Sequence, residues 1–210
     1  MFYLTGYFVF LIAAWVAAWY LHDLTFVRDL GPGATVAYWT VAKLIVWIAP
    51  ILLIVTCVLK RPAVAYLGLT GFARGIRVGS VVGATFVLLS AIVDVITRMH
   101  ALPGPSWGMF NALTVAPLFE EVMFRGFALK ALEDSGYRFW PANTIAAILF
   151  LGLHLPGWHF MGTLGASQVV LGLSVVIVGM VAGYAKRRSN STWASVTVHF
   201  FNNLYSAFVR

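Results

Sequence analysis

The chain has 210 residues, of which 61% are hydrophobic and only 10% are charged. Soluble domains carry about 25% charged residues, so this composition excludes a soluble fold and indicates a helical membrane protein in a lipid bilayer. The net charge of +7 comes from basic residues scattered over short loops, a pattern that argues against nucleic-acid binding. The single cysteine, Cys57, excludes a disulfide framework and a cysteine-rich metal site.

Apolar stretches of about 20 residues, the length that crosses a bilayer, recur along the whole chain. Seven spans are predicted, at residues 2–21, 35–59, 76–97, 107–132, 141–155, 166–185 and 191–209. The fifth is short, because Leu155-Pro156-Gly157 is expected to end it. No linker or repeat divides the sequence, so we expect one all-α domain over residues 1–210, a polytopic transmembrane helix bundle.

The basic residues are distributed unequally between alternate loops, and this asymmetry predicts the orientation in the cell membrane. One side carries nine of them: Lys60, Arg61, Arg74, Arg77, Lys130, Arg138, Lys186, Arg187 and Arg188. The other side carries Arg28, Arg98 and Arg210. We therefore expect a cytoplasmic N-terminus and an external C-terminus.

The predicted fourth span carries charged residues in the middle of an apolar run. A charge at the bilayer centre costs at least about 2.5–3.5 kcal/mol on insertion scales, so such residues usually serve a function. Glu121 and Arg125 are four residues apart on one helix face and are expected to pair. Glu120 points to a different face, and no second cation is nearby in sequence. Glu120 is therefore the acid expected to be free for chemistry.

Two later spans also contain polar residues. His154 closes the fifth span, and His199 and Asn203 are four residues apart in the seventh. Polar groups in lipid need partners, so we expect them to meet Glu120 in one intramembrane site. At 1.5 Å per residue, His199 lies ~12 Å and Glu120 and His154 lie ~20 Å from the cytoplasmic end, and these depths allow a cavity that opens to the cytoplasm.

Three residues near the predicted site are interpreted separately. Pro117 lacks an N–H group and is expected to kink the helix next to the acids. Lys43 and Asp94 lie near enough to predicted helix ends for their side chains to reach the interface. We therefore leave these two residues out of the site.

The motifs Glu120-Glu121-x-x-x-Arg125, Phe150-x-x-x-His154 and His199-x-x-x-Asn203 follow one another on separate predicted helices. Together they resemble the motifs of the CAAX-protease and bacteriocin-processing family, also called CPBP or ABI, to which type II CAAX prenyl endopeptidases belong. The resemblance covers residues 107–208, and the first three predicted spans carry no motif of this family.

The resemblance implies an intramembrane endopeptidase that cleaves a peptide or a membrane protein. Glu120 would be the general base, and His154 would orient the attacking water or share its proton. His199 and Asn203 would donate hydrogen bonds to the oxyanion, while Glu121 and Arg125 would brace the helix. A rival mechanism remains open, in which Glu120, His154 and His199 bind zinc and leave one position for water.

Two other functions use the same polar residues. A non-catalytic membrane partner, such as a bacteriocin immunity or scaffold protein, would keep the fold without the chemistry, yet this chain keeps every motif residue. A proton-coupled transporter would use buried Glu and His as a relay. Transporters of that kind contain internal repeats or paired broken helices, and the sequence shows neither.

Overall fold

The computed structural model describes residues 2–24, 26–94, 104–165 and 167–208, and these residues form helices and connecting turns without a strand. The bounds, with adjoining segments of one continuous helix joined, are α1 Phe2–Leu24, α2 Pro32–Val58, α3 Ala63–Tyr66, α4 Phe72–Asp94, α5 107–134, α6 Phe139–Phe160, α7 Ser167–Ser189 and α8 Thr192–Phe208. A short 3₁₀ turn, Phe26–Leu30, links α1 to α2. Arg98 and Arg210, which contributed to the predicted orientation, and the end of the third predicted span lie outside the described residues.

Five of these helices are long and apolar enough to cross a membrane, namely α1, α2, α4, α6 and α7. Two of the seven predicted spans do not qualify by length and composition. The first is α5, whose apolar run is interrupted by charged residues. The second is α8, which has only 17 residues. The prediction of an all-α membrane helix bundle is confirmed, because large apolar side chains also cover much of the exposed surface.

The predicted end of the fifth span is wrong. Helix α6 continues through Pro156 and ends at Phe160, so it is longer than the sequence suggested. A proline inside a helix removes one hydrogen bond, and its ring presses on the carbonyl of the residue four positions earlier. That residue is Gly152, whose surroundings leave open space. A backbone with room to adjust tolerates the proline, and this keeps His154 inside the helix.

Close helix contacts are made at glycine pairs. A Cβ on Gly79 of α4 would lie 2.6 Å from the carbonyl oxygen of Ala194 in α8, and one on Gly83 would lie 3.0 Å from the ring of Phe201. In α7, a Cβ on Gly179 would lie 2.6 Å from Nη2 of Arg125. These glycines act in packing, as small residues at membrane helix interfaces generally do.

The start of α8 is fixed by the loop between α3 and α4. The backbone N–H of Thr192 donates to the carbonyl of Gly68 at 2.7 Å, and the hydroxyl of Thr192 donates to the carbonyl of Leu67 at 2.6 Å. The indole N–H of Trp193 donates to the carbonyl of Leu69 at 2.9 Å. These bonds satisfy both partners where a helix end would otherwise leave free backbone groups. They hold α8 in place two turns before His199.

We expect Gly79→Ala to lower the stability of the protein. The added methyl group overlaps the backbone of Ala194, so α4 and α8 must separate, and overpacking of this kind costs about 1–3 kcal/mol. Thermal unfolding in detergent measures the loss as a lower Tm. Gly6→Ala in α1 is the matched control, because its methyl group would meet nothing within 4 Å. Equal Tm values for the two variants would contradict the close approach of α4 and α8.

Candidate active site

The backbone of α5 changes its hydrogen-bond register just before the two glutamates. The N–H of Ala116 donates to the carbonyl of Asn111, five residues back, instead of to the carbonyl of Ala112. Pro117, the next residue, has no N–H to offer in that register. The carbonyl of Ala112 is therefore left without a helical donor. The side-chain amide of Asn203 donates to it at 2.7 Å and so ties α8 to α5.

Glu121 forms the centre of the polar cluster. It is fully buried, and its Oε1 accepts a hydrogen bond from Nη1 of Arg125 at 3.0 Å, so the predicted pair is confirmed. The same oxygen accepts a second hydrogen bond, from Nδ1 of His199 at 2.8 Å, which the sequence did not indicate. The guanidinium of Arg125 also lies 4.7 Å from the ring centroid of Phe150. Glu121 therefore binds a neighbour on its own helix and a histidine of α8.

Hydrogen bonds to acceptors fix the tautomers of both histidines. Oε1 of Glu121, paired with Arg125, can only accept, so Nδ1 of His199 carries the proton. Nδ1 of His154 lies 2.9 Å from the carbonyl oxygen of Phe150, which likewise only accepts. In each neutral ring, Nε2 is then an unprotonated acceptor. Nε2 of His199 lies 3.9 Å from Oε2 of Glu120.

Lys43 belongs to the site, and the prediction that its side chain extends to the membrane interface is wrong. Its Nζ lies 3.6 Å from Oε1 of Glu120, and both side chains are largely buried, with 7% and 12% exposed. Lys43 follows the first residue of α2 by eleven positions, which is about 16 Å along the helix and too deep for the amine to reach the interface. Its ammonium also lies 5.1 Å from the ring centroid of Trp47.

The charges of the cluster balance. The carboxylates of Glu120 and Glu121 face the cations of Lys43 and Arg125, and both histidines can stay neutral. Buried charges are stable only when they are paired and hydrogen-bonded. Glu120 was expected to have no cationic partner, and this prediction is corrected, because Lys43 is its partner. The partner of Glu120, Lys43, is 77 positions away in sequence. The sequence signal that could have identified Lys43 is its position deep within an apolar, tryptophan-rich helix.

Two cavities meet at His154. The larger, of about 720 Å³, is lined by both site histidines, by Asn203 and by apolar residues of α6 and α7. The smaller, of about 260 Å³, is lined by Glu120, Lys43 and Asn111 and by five tryptophans: Trp15, Trp19, Trp39, Trp47 and Trp158. Glu120 and Asn203 therefore line different cavities.

Both cavities extend toward the end of the bundle where α5 and α7 begin and α6 and α8 end. The basic loops lie at the other end. Under the predicted orientation the end that the cavities reach is external, so that orientation and a cytoplasmic opening cannot both hold for these cavities. Distances along a helix give only depth, and the side from which a cavity is reached depends on how the helices pack around it.

The described residues do not fit the predicted zinc site of Glu120, His154 and His199. In this part of the chain, no three His, Cys, Asp or Glu side chains are grouped closely enough to hold a metal ion. The ammonium of Lys43, 3.6 Å from Glu120, also places a positive charge where a metal would bind.

Helices that suit a bilayer, surrounding a buried cluster of carboxylates and histidines, define a membrane protein with an intramembrane polar site. Residues 102–205, about half of the chain, match the family described as type II CAAX prenyl endopeptidase Rce1-like. The chain belongs to this protease family, as the three motifs indicated. No curated protein and no solved structure matches the chain. Helices α1 to α4, including Lys43, lie outside the matched region.

We expect Glu121→Leu to impair both stability and activity. It leaves the fully buried Arg125 without its charged partner, and breaking a buried pair in this way costs about 3–5 kcal/mol. Adding Arg125→Leu should restore much of the Tm in detergent, because no unpaired charge remains. It should not restore turnover, because Nδ1 of His199 still lacks its acceptor.

Glu133→Leu, on the same helix but away from both cavities, is the control for the measurement of turnover. Recovery of full activity in the double variant would show that Glu121 acts on Arg125 alone. A Glu121→Leu protein with unchanged Tm would contradict the buried ion pair itself.

Proposed function

We propose that the protein is an intramembrane endopeptidase of the cell membrane that hydrolyses a peptide bond of a membrane-associated or lipidated substrate. It would cross the membrane several times and act without a metal. Family membership supports the reaction class. The observation that carries the assignment is that Glu120, a carboxylate with 12% of its side chain exposed, lines a cavity together with His154 and stands 3.9 Å from Nε2 of His199.

The hydrogen-bond acceptors around Glu120 are placed so that together they can orient a water molecule. A water about 2.8 Å from Oε2 of Glu120 and from Nε2 of His199 can donate one O–H to each, because those two atoms are 3.9 Å apart. Nε2 of His154, also unprotonated, is a further acceptor on the same cavity. With both protons directed to acceptors, the lone pairs of the water oxygen are free to attack a carbonyl carbon.

The proposed reaction follows from this orientation. Glu120 takes a proton from the water while the water oxygen adds to the carbonyl carbon and the carbonyl π electrons move to oxygen. The tetrahedral intermediate then collapses, the C–N bond breaks, and the carboxylic acid of Glu120 gives its proton to the amine. Glu121 and Asn203 act indirectly: Glu121 holds the ring of His199, and Asn203 holds α8 against α5.

The substrate is proposed to be a peptide or membrane-protein segment that reaches the site from the bilayer. The cavity of Glu120 is walled by tryptophans and other apolar side chains, among them Leu153 and Met161. Such a cavity favours apolar side chains next to the cleaved bond, because their burial removes apolar surface from water. The charged residues of a soluble peptide would find few partners there.

We expect Glu120→Gln to abolish most hydrolysis while the fold survives. The substitution is nearly isosteric but removes the basic oxygen, and loss of a general base costs roughly 10²–10⁴ in rate. The assay follows cleavage of fluorogenic apolar peptides and of membrane proteins by the purified protein in liposomes. Glu133→Gln makes the same change on the same helix, outside both cavities, and should leave turnover intact.

An active Glu120→Gln protein would contradict the proposed mechanism. A wild-type protein that binds these substrates without cleaving any would favour the non-catalytic membrane partner instead. Turnover that disappears on chelation and returns with zinc would show that the metal-free mechanism is wrong.

A further inference from the structure

One face of α4 is directed away from the rest of the bundle. On the inner face, a Cβ on Gly75 or Gly79 would lie 2.7 or 2.6 Å from atoms of α8. The opposite face carries Val81, Leu88 and Ile92, whose side chains are at least 64% exposed. Because α4 is long and apolar enough to cross a membrane, this outer face forms an apolar stripe that lies against lipid.

Two arginines continue the apolar stripe at the start of α4. With 3.6 residues per turn, Arg74 and Arg77 point within about 60° of the direction of Val81, and both side chains are exposed. Nη2 of Arg74 donates to the carbonyl oxygen of Arg188 at 3.4 Å, which ties the start of α4 to the end of α7. Arg74, Arg77 and Arg188, the arginine patch, therefore lie at the end of the bundle that carries the basic loops.

The arginine patch is not neutralised by any carboxylate of the described residues, because the ion pairs found there involve other basic side chains. This end of the bundle carries two acids. Asp134 pairs with Lys130, and Glu133 interacts electrostatically with Lys186. The patch keeps its positive charge and its N–H donors, and the planar fork of a guanidinium matches the geometry of a phosphate.

We propose that the arginine patch binds the phosphate of an anionic glycerophospholipid, whose acyl chains lie along the apolar stripe of α4. Val81 follows Arg74 by seven residues, about 10 Å along the helix, so the stripe begins just below the arginines. Basic sites between membrane helices commonly bind such headgroups. The patch contains no carboxylate that could bind a headgroup amine, and this favours a lipid with a net negative charge. The inference does not depend on the proposed peptidase function.

Two aromatic rings support the depth of the proposed phosphate. Phe72, the first residue of α4, is 58% exposed, and its ring packs edge-on against Trp193 with the centroids 5.0 Å apart. Tryptophan is enriched at the level of the lipid headgroups. Arg74 and Arg77 lie within about 8 Å of Phe72 along the helix, which places them at that level. A soluble anion would use the arginines but leave the apolar stripe without a role.

The experiment counts bound lipids by native mass spectrometry of the intact chain in an uncharged detergent. Phosphatidylglycerol and phosphatidylcholine with the same acyl chains are added in turn, and we expect the wild type to bind one phosphatidylglycerol more tightly. An arginine near an anionic lipid contributes about fivefold in affinity. Arg74→Gln with Arg77→Gln should therefore weaken phosphatidylglycerol binding roughly 25-fold, with little effect on phosphatidylcholine.

Lys60→Gln with Arg138→Gln is the matched control, because it removes two charges from the same end of the bundle, outside α4 and the arginine patch. It should leave the preference for phosphatidylglycerol intact. Arg77→Gln alone, which breaks no hydrogen bond within the described residues, replaces the double variant if that protein does not fold. It should weaken phosphatidylglycerol binding about fivefold.

Inorganic phosphate and glycerophosphoglycerol, which is the headgroup without acyl chains, distinguish a lipid site from a site for a soluble anion. We expect neither to displace phosphatidylglycerol at equal concentration, because neither contacts the apolar stripe. Displacement by either compound would overturn the lipid assignment. Equal losses in the patch and control variants would show general attraction to the basic end and would also overturn the proposal, as would equal binding of the two lipids by the wild type.

Discussion

One carboxylate oxygen, Oε1 of Glu121, accepts hydrogen bonds from Arg125 of α5 and from His199 of α8. In a bundle that offers little water, these three groups depend on one another, because an unpaired buried charge costs far more than its pair contributes. The shared oxygen fixes the distance between α5 and α8 at this depth and sets the ring orientation and tautomer of His199. Because Nδ1 of His199 is bound to Glu121, Nε2 is the ring atom that faces Glu120.

The contacts that support the cluster lie on both sides of it along α8. At its start, Thr192 and Trp193 are bound to the loop before α4. One turn beyond His199, Asn203 is bound to the carbonyl of Ala112, which the register change and Pro117 leave free. Pro117, which was expected to kink the helix, thus helps to leave a hydrogen-bond acceptor free for a neighbouring helix. The hydrogen bond from Asn203 holds α8 against α5 at this point.

Local features of the site could be predicted from sequence, and contacts between distant segments could not. Glu121 and Arg125 lie one helical turn apart, so their pairing follows from helix geometry alone. The glycine pairs Gly79/Gly83 and Gly179/Gly183 have the four-residue spacing typical of closely packed membrane helices, and they lie at close contacts in the structure. Lys43 was missed because its partner Glu120 lies on a helix far along the chain, and an apolar segment with one lysine also fits a side chain that reaches the interface. The hydrogen bond from Asn203 to the carbonyl of Ala112 depends on a change of hydrogen-bond register in α5. No single residue type determines such a change.

The region that matches the protease family supplies Glu120 and both histidines, whereas α1 and α2 supply Lys43 and most of the tryptophans around Glu120. The measurement that tests the account most directly is the ¹⁵N spectrum of histidine side chains in bilayers at neutral pH, with His199→Gln identifying the resonances of His199. We expect a neutral ring protonated at Nδ1 and unprotonated at Nε2. A ring protonated at Nε2, alone or together with Nδ1, would contradict the arrangement in which Glu121 holds His199 as a neutral acceptor facing Glu120.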